Sequence, residues 1–101
     1  MTYGVVVEVA QPLEVYETVH AELLRETAGR VDGLLVHVAR ATPEGFSVLE
    51  VWESREHADR CNREVVWPIT ARLTAGRPLP EPRTEEFEVA GLVVPEAALA
   101  W

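Results

Sequence analysis

The sequence predicts an α+β fold, a ferredoxin-like βαββαβ sandwich with a four-stranded antiparallel sheet and both helices on one face. Three observations carry that expectation. A β-branched run at residues 3–10 breaks at Gln11-Pro12. Each of two stretches with helical period follows a strand. Thr42-Pro43-Glu44-Gly45 has the residues of a tight turn between two apolar strands.

The first strand, residues 3–10, places Tyr3, Val5, Val7 and Val9 on one face and Gly4, Val6, Glu8 and Ala10 on the other. Apolar material on both faces suits a central strand covered on each side. A helix follows at about residues 13–28. Pro12 suits its first turn, Glu14 and Glu17 complement the positive end, and Gly29 suits the stop. Its apolar stripe is Leu13, Tyr16, Val19, His20, Leu23, Leu24 and Thr27, so a histidine falls inside it.

Residues 34–41 and 46–53 form the predicted hairpin. Its register sets Leu35 opposite Trp52, His37 opposite Glu50 and Ala39 opposite Val48, with all six side chains on one face. Leu34, Val36, Val38, Leu49 and Val51 then make a wholly apolar opposite face. A slip of one residue would exchange the two faces, so the pairing depends on the turn.

Ser54 is a good N-cap for the second helix, which carries Glu56 and Asp59 in its first turns and continues through Ala58, Cys61, Asn62 and Val65. Pro68 should interrupt it, because proline removes a backbone donor and crowds the preceding turn. Residues 65–73 are therefore expected as a kinked or restarted helix that ends at Gly76. Residues 77–83, with Pro78, Pro80 and Pro82, read as a semi-rigid connector. Residues 84–94 alternate as a fourth strand stopped by Pro95, and the apolar tail 96–101 is expected to dock on a neighbouring subunit or fray. There is no internal repeat, and residues 1–101 read as a single domain.

Hydrophobic residues make up 48% of the chain and charged residues 26%, a globular rather than a disordered composition. The formal charge of -8 argues against nucleic acid or an anionic membrane as partner, since both are bound through clustered basic residues. One cysteine, Cys61, permits no intramolecular disulfide and fits a reducing cytosol. No Cys/His spacing suggests zinc, and the start Met1-Thr2-Tyr3-Gly4 has no signal-peptide character. No apolar run approaches the roughly 20 residues of a spanning helix. The expectation is a cytoplasmic protein with no metal and no cofactor. The sheet has apolar residues for both faces while the helices cover only one, so a homodimer packing two sheets face to face is expected.

Val51-Trp52-Glu53-Ser54-Arg55-Glu56-His57-Ala58, followed by Glu64-Val65-Val66-Trp67-Pro68, a proline-rich connector and Phe87-Glu88-Val89, resembles the dimeric α+β barrel superfamily. The nearest branch is the antibiotic biosynthesis monooxygenase-like proteins. The resemblance spans nearly the whole chain. It is specific for fold rather than activity, because the superfamily also holds haem-degrading enzymes, polyketide cyclases, lactone isomerases and ligand-binding regulatory domains. It implies an apolar pocket between sheet and helices, with Trp52 near it. The hairpin register adds His37 and Glu50 to that face, the first helix adds Tyr16 and His20, and the second adds Cys61 and Val65.

The chain also departs from the family. Many relatives carry a histidine nine residues after the tryptophan, where this chain has Cys61. The first strand lacks the asparagine of the haem-degrading members, and Cys61 and Ala71 replace their tryptophan and histidine. Ala90-Gly91 stand where close relatives often have His-Asn.

Two readings follow. In the first, the protein is a cofactor-independent enzyme, a monooxygenase or cyclase acting on a hydrophobic aromatic or polyketide-like small molecule. His37 supported by Glu50 is then the general base, His20 a second candidate base, and Trp52, Tyr16 and Trp67 the ring-binding residues, with Cys61 and Val65 lining the site. In the second, it is a non-catalytic ligand-binding or structural dimer. His37 and Glu50 are then a cross-strand pair worth about 0.2 to 1 kcal/mol, His20 a satisfied core residue and Cys61 a small packing residue. His57, at the start of a helix, is expected to be exposed.

Overall fold

Alternating β-branched and aromatic residues build the sheet, and two proline-delimited helical stretches cover one side of it. In the computed structural model, which describes residues 2–95, the chain runs β1 (Tyr3–Val9), α1 (Leu13–Thr27), β2 (Leu34–Thr42), β3 (Gly45–Trp52) and α2 (Arg55–Cys61). A π-helical turn (Asn62–Val66), α3 (Trp67–Leu73) and β4 (Arg83–Glu88) complete it. The strands form one antiparallel sheet in the order β2-β3-β1-β4. This is the expected βαββαβ topology with β1 inside the sheet, which stays open within one chain. The tail at 96–101 and its expected docking lie outside the described residues.

The hairpin closes through Pro43-Glu44, with Thr42 paired to Gly45 and the Gly45 N–H donating to Thr42 Oγ1 at 3.1 Å. A Cβ at Gly45 would stand 2.2 Å from the Val9 carbonyl oxygen and 2.6 Å from that of Gln11. Only glycine lets the turn approach the end of β1 so closely. The register sets His37 opposite Glu50 and Ala39 opposite Val48, as the turn residues imply.

Leu35, however, does not face Trp52. A bulge between Leu34 and Val36 places Leu34 there, and Leu34 packs with Trp52 instead of joining the outer face. The entering loop accounts for it. Leu34 N–H donates to Val31 C=O at 3.2 Å and Glu53 N–H to Gly33 C=O at 2.8 Å, a tight entry that an edge strand absorbs with one extra residue.

Pro12 takes the N-cap position of α1 rather than its first turn, and Ala28 adopts the left-handed ending at φ 55°, ahead of Gly29. No residue of α1 is fully buried, and Arg72 ties it to α3 by reaching Glu22 at 3.0 Å and Glu26 at 2.7 Å. Ser54 Oγ caps α2 by accepting the His57 N–H.

Pro68 does not stop the helix. Trp67 N–H bonds the carbonyl of Asn62, five residues back, and this widened turn takes up one extra residue just before the proline ring. β4 begins at Arg83 and ends at Glu88, short of the expected 94, because its partner β1 begins at Tyr3, opposite Glu88. The core between helices and sheet holds Val5, Trp52 and Ala58, with Tyr3, Val7, Val31, Leu34 and Cys61 against them. On the other face Val38 is 55% exposed and Leu49 38%. No helix among the described residues is long and apolar enough to cross a membrane.

Candidate functional site

β2 and β3 set His37 and Glu50 side by side under α1, and the helical period brings Tyr16 and His20 down onto them. His37 Nδ1 lies 2.8 Å from Glu50 Oε2, and His37 Nε2 lies 2.7 Å from the Tyr16 hydroxyl. The same hydroxyl is 3.2 Å from His20 Nδ1, and Trp52 Nε1–H donates to the other Glu50 oxygen at 3.2 Å.

The inventory of donors orients this chain. A carboxylate only accepts, so Nδ1 of His37 carries the proton, and in the neutral ring Nε2 is the acceptor. Tyr16 therefore donates its single hydroxyl proton to His37, and His20 Nδ1–H donates to the Tyr16 oxygen. Every donor in the run from His20 through Tyr16 and His37 points toward Glu50.

The rings stack in support. His20 and His37 lie 5.4 Å apart at an interplanar angle of 5°, and Tyr16 stacks on His20 at 5.1 Å. Phe46 tilts against Tyr16 at 5.4 Å. Burial, with the charge of Glu50 adding to it, pushes the Tyr16 hydroxyl above its ordinary value and keeps it a phenol. The His37 and Glu50 side chains are 24% and 22% exposed, so the pair is partly open to water.

Of the residues singled out from sequence, His37, Glu50, His20, Tyr16 and Trp52 come together. Cys61 packs half-buried beside Trp52 and Ala58. Burial, followed by the charges of Glu50 and Glu64, pushes its thiol up, an environment that disfavours the nucleophilic thiolate. Val65 is half-buried on the π-helical turn, and Trp67 is 62% exposed, turned to solvent rather than to the cluster.

His57 is not exposed as expected. It lies against Gly33, with Nδ1 2.6 Å from Ser54 Oγ. The sequence reading missed Phe46 as the floor under Tyr16, although its place at the start of β3, on the Glu50 side, was a usable signal. It also took Tyr16 only as a ring to stack on. Two open hollows lie away from the cluster, one at residues 29–34 and one lined by Tyr3, Ser54, Arg55 and Phe87. Between α1 and the sheet the rings of Tyr16, His20 and His37 stack on one another.

No family model matches the chain, and no curated protein matches it. Solved structures do. A candidate antibiotic biosynthesis monooxygenase from Caulobacter crescentus superposes with a TM-score of 0.69 at 18% identity, over 89% of this chain and 91% of that one. A candidate of the same kind from Chloroflexus aurantiacus gives 0.62 at 23%, over 93% and 98%. SnoaB, a cofactor-independent oxygenase from Streptomyces nogalater, gives 0.57 at 19%, over 94% and 96%. The chain thus has the fold of the antibiotic biosynthesis monooxygenase-like proteins.

Proposed function

We propose that this protein is a cofactor-independent enzyme of the monooxygenase or cyclase type, acting on a hydrophobic aromatic or polyketide-like small molecule, with His37 as its general base. The carrying observation is the 2.8 Å bond between His37 Nδ1 and Glu50, which leaves Nε2 as the basic nitrogen and stabilises the imidazolium that forms when it takes a proton. A phenol or enol must lose a proton before it closes a ring or reacts with dioxygen, and this pair supplies the base. The fold shared with SnoaB, an oxygenase that needs no cofactor, supports the reading.

Trp52 holds Glu50 in place, while Tyr16 and His20 offer flat surfaces to an aromatic ring. The functional unit is a single-domain homodimer joined through the outer sheet face, where Val38 and Leu49 stand exposed. Its single cysteine suits a reducing cytoplasm.

The test is a panel of polycyclic phenols and enolisable polyketide-like ketones, followed by dioxygen uptake and product chromatography. His37→Ala should lower turnover on the order of 100-fold with fold and assembly intact. Full activity in that variant would discard His37 as base. The second reading, a non-catalytic ligand-binding dimer, draws on the mutual stacking of Tyr16, His20 and His37, which a packing role explains equally well. Binding from the panel without turnover would favour it.

A further inference from the structure

His37 can act as a base only through its Nε2 lone pair, and that position is taken. Tyr16 Oη sits on it at 2.7 Å, held from above by His20 and braced from the side by Phe46. With that nitrogen bonded to the phenol, a substrate hydroxyl's proton bound for it passes through Tyr16 Oη. The Tyr16 oxygen, already accepting from His20, has a second lone pair for that hydroxyl.

Resting on the reading of His37 as base, we infer that Tyr16 is the residue that exchanges the proton with substrate, a relay between a phenolic or enolic hydroxyl and His37. The step balances without an oxidant. The substrate O–H bond breaks and its proton bonds to Tyr16 Oη. In the same motion the Tyr16 proton passes to His37 Nε2. The substrate becomes an oxyanion, Tyr16 remains a neutral phenol, and His37 becomes an imidazolium paired with Glu50 through Nδ1–H.

Afterwards His37 Nε2–H donates to Tyr16, and the proton that Tyr16 has received from the substrate donates back to the oxyanion it has created. The raised affinity of Tyr16 for its proton suits this passage, since the phenol never has to persist as tyrosinate. Glu50 and Trp52 act as positioning residues, one fixing the tautomer of His37 and the other the carboxylate.

Two measurements on the full-length protein test the relay. In long-range proton–nitrogen spectra, His37 should show the Nδ1–H tautomer in the wild type. An Nε2–H tautomer would overturn the proposal, because the bond to Tyr16 would then run the other way. The second uses 4-nitrophenol as probe, at a pH where the free phenol is mostly protonated. Wild-type protein should develop the phenolate band on binding, and Tyr16→Phe, which removes one oxygen and keeps the ring, should bind the probe and lose the band.

A band of full strength in Tyr16→Phe would overturn the relay while leaving His37 as base. A band that survives in His37→Ala, or no band in the wild type, would instead overturn the base reading on which the relay rests. The same tautomer spectra recorded on Tyr16→Phe verify that His37 and Glu50 remain paired.

Discussion

On the helix-covered side of the sheet Trp52 is 2% exposed, and every polar atom of Glu50 and His37 has a partner. On the bare side Val38 is 55% exposed and Leu49 38%. Both surfaces come from the same strands, whose side chains alternate between them. The covered side spends its central positions on a histidine, a glutamate and a tryptophan, joined by hydrogen bonds that packed hydrophobes would not need. The bare side has Val6, Val38 and Leu49 side by side at its centre, apolar surface that is costly to leave in water. On the proposed function, one surface serves proton chemistry and the other contact.

The widest separation between the two sides should appear in Trp52→Ala. It removes a buried indole and the donor to Glu50, and should destabilise the fold by about 3–5 kcal/mol in urea denaturation. A loss under 1 kcal/mol, as for an ordinary surface change, would erase the distinction between the faces. Next comes Glu50→Ala, which leaves Nδ1–H of His37 and Nε1–H of Trp52 without their acceptor. About 1–3 kcal/mol should be lost, with the tautomer of His37 no longer fixed. An unchanged tautomer spectrum would show that Glu50 does not orient the ring.

The covered side should also announce itself in alkali. Burial raises Cys61 and Tyr16 on this face, and Tyr3 with help from Glu86. A folded state that holds these protons more tightly than the unfolded chain keeps its full stability below their ordinary values of 9.0 and 10.0 and loses it as pH rises past them. Denaturation midpoints should therefore fall above pH 10, less steeply in Tyr16→Phe. Parallel curves for the two proteins would show Tyr16 to be effectively solvated.

The smallest effect on the fold belongs to Leu49→Arg, within about 0.5 kcal/mol for a protomer whose outer face meets water. Its effect on assembly should be large. Light scattering should report dimers for the wild type, on the proposed assembly, and monomers for the variant; a variant dimer that persists would place the interface elsewhere.

What could be read in advance was whatever local chemistry dictates. Pro43 and Gly45 specify a short turn, the turn specifies the register, and the register puts His37 beside Glu50. The bulge at Leu34 was illegible because it answers to the loop at 29–33 and to the edge position of β2, neither of which shows in the alternation of residues 34–41. Pro68 reads as an interruption that leaves a kinked or restarted helix, since proline alone says that a hydrogen bond is lost. The π-helical turn that keeps the helix going, through the Trp67 N–H bond to Asn62 C=O, has no signature in the residues around it. His57 was misjudged for a similar reason, because Gly33 and Ser54 enclose it from two sides.

The sequence alone determined the order of elements, the two faces of the sheet beyond the Leu34 bulge and the pairing of His37 with Glu50, since each follows from residue periods and a turn within a few positions of the residues concerned. Only the tertiary structure decided that the Tyr16 hydroxyl would land on His37 Nε2. The angle at which α1 crosses the sheet sets that contact, between residues 21 positions apart, and the angle is a property of the packed molecule.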